Sequence, residues 1–161
     1  MFDPLALSLE KLYLWSVGGA VFLGLLHYAG RTQAFRWRRL AAHYAAPGPV
    51  EVVARKRLQA VILLGGGSRF AYTGYPGLVS VALSDEFLRL RLPFPWSIYH
   101  VPLSIPFAEL RAEQTHWFLN SDSFELLAAK ADDVKIVIAG ELLDWISANT
   151  QGWKIGTTRR W

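Results

Sequence analysis

The sequence predicts one N-terminal transmembrane helix followed by a mainly-β domain, a barrel or bent sheet closed by a C-terminal α-helix. Three observations predict it. Residues 12–30 read LYLWSVGGAVFLGLLHYAG and carry no fixed charge. From Phe87 to Leu92 the chain alternates, with Phe87, Arg89 and Arg91 on one face and Leu88, Leu90 and Leu92 on the other, the period-two signature of a strand. Near the end, apolar residues at 142, 143, 145 and 146 surround Glu141 and Asp144, the stripe of a short amphipathic helix with acidic groups near its positive end.

The first element is long enough for a bilayer. Nineteen helical residues span roughly 28 Å, close to the hydrocarbon thickness. Tyr13 and Trp15 mark one interface and Tyr28 the other, as aromatic belts do. A signal peptide would begin basic and end at a small-x-small cleavage site. Here residues 1–11 hold Asp3 and Glu10 against Lys11, and His27-Tyr28-Ala29 is a poor cleavage site. Arg31, Arg36, Arg38 and Arg39 follow the span, so the positive-inside rule places the C-terminal domain in the cytoplasm and the N-terminus outside. The expected location is therefore the inner (cytoplasmic) membrane, single-pass. Ser16, Ala20 and Gly24 recur at i, i+4, i+8, a spacing of small residues that lets another helix approach. His27 reads as an interfacial histidine wetted by headgroups, with an axial chlorin or haem ligand as the alternative.

Residues 31–49 form a neck. Trp37, Leu40, Ala41 and Tyr44 make one helical stripe among Arg36, Arg38, Arg39 and His43. A basic amphipathic helix beside a span is expected at the membrane surface, held to anionic lipid through Arg31, Arg36, Trp37, Arg38 and Arg39. The other reading packs the stripe on the domain that follows. Pro47, Gly48 and Pro49 then end the helix and make a linker.

Residues 50–149 read as the β domain. Strands are expected at 58–64, 78–83, 87–92, 101–107, 109–118, 123–129 and 134–138, with GGGSRFAYTGYPG as the loop after the first. Ser84-Asp85-Glu86, Asn120-Ser121-Asp122 and Ala131-Asp132-Asp133 supply turns. Residues 150–161 form an aromatic and basic tail.

Gly77-Leu78-Val79-Ser80-Val81, Asp85-Glu86-Phe87-Leu88-Arg89-Leu90 and Pro102-Leu103-Ser104-Ile105-Pro106-Phe107 resemble the pleckstrin-homology superfold, in its bacterial form found in small single-pass membrane proteins. Trp37-x-x-Leu40-Ala41-x-x-Tyr44 is similar to the neck of those proteins. The resemblance covers 33–149 and implies a domain that binds lipids, peptides or proteins and is not an enzyme. The phosphoinositide-binding version carries a lysine and then an Arg-x-Arg pair. Lys56 and Arg89-Leu90-Arg91 imitate these, although the pair falls on a later hairpin.

Several chemistries are excluded by residue type. The chain has 161 residues and no cysteine, so disulfides and thiolate chemistry are absent. Gly65-Gly66-Gly67-Ser68 lacks the lysine and following helix of a phosphate loop. The four histidines, at 27, 43, 100 and 116, have no ligand spacing. No metal site, catalytic site or cofactor is expected. The net charge of +4 does not indicate nucleic acid, because from residue 58 onward nine Lys/Arg face ten Asp/Glu.

Aromatic residues in loops are what remain. Pro93-Phe94-Pro95-Trp96-Ser97-Ile98-Tyr99 is a proline-held loop, His116-Trp117-Phe118 precedes a turn, and the tail carries Trp153, Arg159, Arg160 and Trp161. Trp117 and Phe118 are expected to fill the barrel. Phe94, Trp96, Tyr99 and the tail residues are expected to dock a partner, since exposed Trp, Tyr and Arg are enriched at interfaces. The expectation is an accessory subunit that packs on other membrane subunits through Ser16, Ala20 and Gly24 and through the cytoplasmic domain. A photosynthetic or respiratory assembly suits the aromatic helix. The rival is a free-standing, membrane-tethered sensor or scaffold for lipid or peptide.

Overall fold

The structure, a computed structural model, describes residues 4–46, 48, 51–65, 68–117 and 120–150. The chain divides into two compact units, Met1–Gln33 and Ala34–Trp161. The first is a single helix, α1 (Pro4–Gln33). Its stretch Lys11–Gln33 is long and apolar enough to cross a membrane. Leu12, Trp15, Phe22 and Leu25 are exposed on it, an arrangement that water does not favour. Ser16 donates to the Leu12 carbonyl at 2.7 Å, and nothing lies within 4 Å of where a Cβ on Gly24 would stand.

The second unit is an antiparallel sheet with a short helix before it and another after it in sequence. The elements are α2 (Phe35–Tyr44), β1 (Ala54–Gly65), β2 (Ser68–Leu83), β3 (Phe87–Arg91), β4 (Leu103–Pro106), β5 (Leu110–Trp117), β6 (Asn120–Ala128), β7 (Val134–Ala139) and α3 (Gly140–Ala148). The strand order is β4-β3-β2-β1-β7-β6-β5. One apolar core draws on all these elements, so the sheet curls around it. A mainly-β curled sheet with a C-terminal helix is the architecture expected of a pleckstrin-homology-like domain.

β3 shows how the pattern builds the core. Leu88 and Leu90 are buried, whereas Arg91 is exposed and Phe87 and Arg89 are half-buried on the other face. Leu103 and Ile105 of β4 continue the buried layer. The Ser84 turn holds as expected, its hydroxyl accepting from the Phe87 N–H at 3.1 Å.

β2 departs from expectation. The stretch read as a loop is mostly strand, with Tyr72, Thr73, Gly74 and Tyr75 paired to Leu64, Leu63, Ile62 and Val61. Glycine and proline there signalled a loop, but they serve a bulge instead. Gly77 sits at φ 62° and faces Leu58, itself left-handed at φ 57°. Register shifts flank both positions on β1. Bulges of this kind bend a strand, and here the bend lets long strands close over a core. Another turn also moves. Asn120 and Asp122 lie within β6 rather than in a turn, and Trp117 pairs with Asn120.

α2 corrects the neck. The compact unit begins at Ala34 rather than near residue 50. Trp37 is 0% exposed, Leu40 and Tyr44 are buried with it, and all three belong to the core. Trp37 therefore does not lie on a membrane surface. The physical reason is that its indole finds both apolar walls and an acceptor, the Val101 carbonyl at 2.7 Å. Two of the arginines also point to the domain. Arg36 donates to the Thr73 hydroxyl at 2.8 Å, and Arg39 pairs with Asp133 at 2.7 Å. Tyr44 donates to Glu109 at 2.9 Å and accepts from the Lys130 N–H at 2.9 Å, joining α2 to two connections of the sheet.

α3 closes the core with Leu142, Leu143 and Ile146, while Trp145 is only partly buried at its flank. The carboxylate of Asp122 lies where a Cβ on Gly140 would stand, so glycine opens the helix and the strand beside it supplies a negative group to the positive end. Truncating Trp37 to alanine should cost about 3–5 kcal/mol. Trp145→Ala should cost less than half of that. Chemical unfolding of the purified chain in detergent checks the order, and equal costs would contradict this packing.

Candidate functional site

Two adjoining features of the second unit gather the chemistry: a loop rich in aromatic residues and a cleft lined by arginine. The loop, 93–101, is built on a buried base. His100 is 1% exposed. Its Nδ1 lies 2.7 Å from the Trp96 carbonyl and its Nε2 lies 3.0 Å from the Tyr75 hydroxyl. A carbonyl only accepts, so Nδ1 carries the proton. In the neutral ring Nε2 then accepts from Tyr75, and one tautomer satisfies every group. Burial pushes the His100 imidazole below its ordinary range, and the charge of Arg38 adds to this. Burial likewise pushes the Tyr75 hydroxyl up.

Three rings meet there edge to face. Trp37 lies 5.5 Å from Tyr75 and 5.4 Å from His100, and Tyr75 lies 5.4 Å from His100, centroid to centroid. Such pairs add about 0.5–1.5 kcal/mol beyond the area they bury. Within the loop, Ser97 donates to Pro93, and Tyr99 to Trp96, at 3.0 and 3.1 Å. The loop is thus fixed from below while its top stays apolar and open. Phe94 is 79% exposed, Ile98 63% and Trp96 38%, and Tyr99 is half-buried.

The cleft lies beside it, with a volume of about 840 Å³. Arg55 and Arg57 come from β1, Arg89 and Arg91 from β3, and Ser80 and Ala82 of β2 form the floor between them. The register explains the hollow. Arg55 pairs with Ala82, Ala82 with Arg89, and Ser80 with Arg91. Strands lie roughly 4.8 Å apart, so arginines on β1 and β3 face one another across about 10 Å over small side chains. Phe94 and Leu58 supply an apolar rim. Among the described residues no carboxylate lines the cleft. Arg89 donates to the Gly48 carbonyl at 2.6 Å, and among the described residues the guanidinium groups of Arg55, Arg57 and Arg91 meet no acid.

Sequence reasoning found part of this. Phe94, Trp96 and Tyr99 lie in one loop, the first two exposed and Tyr99 half-buried. Arg89 and Arg91 do share a face, but Lys56 does not join them. It lies one residue out of phase with Arg55 and Arg57, and pairs with Glu141 at 2.7 Å. The cleft role of Arg55 and Arg57 was missed, although Arg55-x-Arg57 and Arg89-x-Arg91 share the period of two. His100 and Tyr75 were missed as the loop's base. Ser16, Ala20, Gly24 and His27 lie along α1, and Arg31 in its last turn. Arg38 is exposed on α2. Trp153, Arg159, Arg160, Trp161 and Phe118 lie outside the described residues, and so does any side-chain placement of Trp117. Among the described residues no group of three His, Asp or Glu could hold a metal.

No protein-family model matches the chain, and no curated protein matches it by sequence. Among solved structures it is similar to the crystal structure of the N-terminally truncated linker-DH/PH domains of p115-RhoGEF, at 14% identity and a TM-score of 0.35. That match covers 92% of this chain and 48% of the other, so the chain spans about half the length of its counterpart.

The neutral His100 makes the domain sensitive to acid. Below the ordinary histidine value of 6.5 the unfolded chain takes up a proton that folded His100 refuses. Stability should therefore fall as pH drops from 6.5 toward the lowered folded value, by up to about 1.4 kcal/mol per pH unit. His100→Gln should be less stable at pH 8 but should lose this slope between pH 6.5 and 5, above the carboxylate range. Unfolding curves at each pH check this, and an unchanged slope would contradict a neutral buried ring.

Proposed function

We propose that this chain is a non-catalytic accessory subunit of a larger membrane protein complex. α1 anchors it in the inner membrane of a bacterium with the domain on the cytoplasmic side, and the loop 93–101 docks a partner subunit. The observation that carries this reading is the loop itself. Exposed Phe94, Trp96 and Ile98 are held by backbone hydrogen bonds and by the His100–Tyr75 pair. A flexible loop would lose rotamer and backbone freedom on binding. A fixed one has already lost it on folding, so more of its burial appears as affinity. Large aromatic side chains in such a position are the usual anchors of interfaces. On α1 the small residues Ser16, Ala20 and Gly24 offer a second contact, where close helix packing favours residues without bulk. The positive charge that follows α1 in sequence suits an anionic lipid surface.

The arginine cleft favours a second reading, a free-standing membrane-tethered sensor of lipid or peptide. The two separate on purification from native membranes in mild detergent. An accessory subunit co-migrates with partners at fixed stoichiometry, whereas a sensor runs alone. Trp96→Ala should weaken the complex by about 2 kcal/mol, roughly thirtyfold in affinity. Gly24→Leu should separate the helix from its partner while leaving insertion intact. Native mass spectrometry of the membrane fraction reads both. Wild-type yields of every partner with both variants would overturn the accessory-subunit reading.

A further inference from the structure

The arginine cleft has the spacing of an extended peptide. Arg89 and Arg91 are two residues apart on β3 and sit opposite Ala82 and Ser80. Alternate residues of a strand are roughly 6.8 Å apart along its axis. The cleft therefore presents positive charge at two levels: Arg55 and Arg89 face each other across Ala82, and Arg91 stands at the next level beside Ser80, with Arg57 also lining the cleft from β1 where the register shifts. A second extended chain laid along the floor over Ser80 and Ala82 has the same repeat. Its side chains at i and i+2 point the same way, so two carboxylates there each meet guanidinium groups from both walls. Guanidinium forks bind carboxylates through paired N–H donors.

The charge balance points the same way. Four like charges around one hollow, with no acid among the lining residues, repel one another until an anion enters. Leu58 adds an independent sign. It holds a left-handed backbone, which is strained for leucine, and it stands 75% exposed at the rim. Phe94 belongs to both the rim and the docking loop, so the cleft continues the proposed interface.

We infer that the cleft binds an extended acidic segment of the partner subunit, with acidic residues at i and i+2 and apolar residues beside them. This rests on the docking role proposed for the loop and names the chemistry of the partner. A single phosphate, from a lipid headgroup or in free form, would satisfy one level of arginines and leave the other unmatched.

Two isomeric pentapeptides test it on the full chain in neutral detergent: acetyl-Leu-Glu-Val-Glu-Leu-amide and acetyl-Leu-Glu-Glu-Val-Leu-amide. They share composition and charge, but only the first sets both carboxylates on one face. Calorimetric titration should show the first binding at least tenfold more tightly. Arg57→Gln combined with Arg91→Gln should abolish that preference. Arg111→Gln, an equally exposed arginine on β5, should keep it. Circular dichroism confirms that the variants are folded, as expected for side chains without partners. Equal binding of the isomers, no binding of either, or a preference that survives the double substitution would each overturn the inference. Tighter binding of dihexanoyl phosphatidylglycerol than of either peptide would overturn it in favour of lipid. The loop's docking role is judged separately, because the Trp96→Ala result does not depend on these peptides.

Discussion

The burial of Trp37 is the constraint on which the domain depends. One indole takes part in three tasks that are elsewhere divided. Its apolar surface joins α2 to the core of the sheet. Its N–H holds the Val101 carbonyl, which fixes the end of the aromatic loop. Its ring edge and face complete the cluster with Tyr75 and His100. Because each of these groups is buried, each requires a partner, and the partners are one another. A helix that sequence alone assigns to a neck is thereby an integral part of the fold.

The loop and the cleft follow from opposite uses of side-chain size. Below the loop, the rings of Trp37, Tyr75 and His100 are buried and packed edge to face. On the outer face of the sheet, Ser80 and Ala82 leave space between long arginines. A single large residue at either floor position would close the hollow. Polar attachments complete the frame, with Glu109 held below the ordinary carboxylate range by hydrogen bonds from Lys130 and Tyr44. That clasp is largely exposed, so it guides register more than it stabilises. The core of the domain is apolar, and the arginines of the cleft stand on its surface.

Much of this was legible in the sequence, for identifiable reasons. Strict alternation at 87–92 has one physical solution when one side is leucine, and β3 has that form. The stripe at 142–146 likewise fixed a helix, though not which residue would sit deepest. Trp145 is larger than Leu142 but lies at the flank. β2 was not legible, because Gly74, Pro76 and Gly77 signal a loop locally. Only pairing with Val61–Leu64 reveals that they form a bulge inside a strand. The partners of Trp37 were equally hidden, since Tyr75 and His100 are far from it in sequence. Arg55 and Arg57 carry no local sign of the cleft. Their link to Arg89 and Arg91 depends on a strand order that no local pattern contains.

The central claim is that the buried ring cluster holds the exposed loop in place. Tyr75→Phe tests it most directly, because it removes one hydroxyl and leaves the ring. Hydrogen exchange of the purified full chain in detergent would be followed at the amides of Ser97, Ile98 and Tyr99. These should lose at least tenfold protection in the variant, while amides of β6 and β7 keep theirs. Unchanged protection in the loop would show that the His100–Tyr75 bond does not hold it, and would contradict the account.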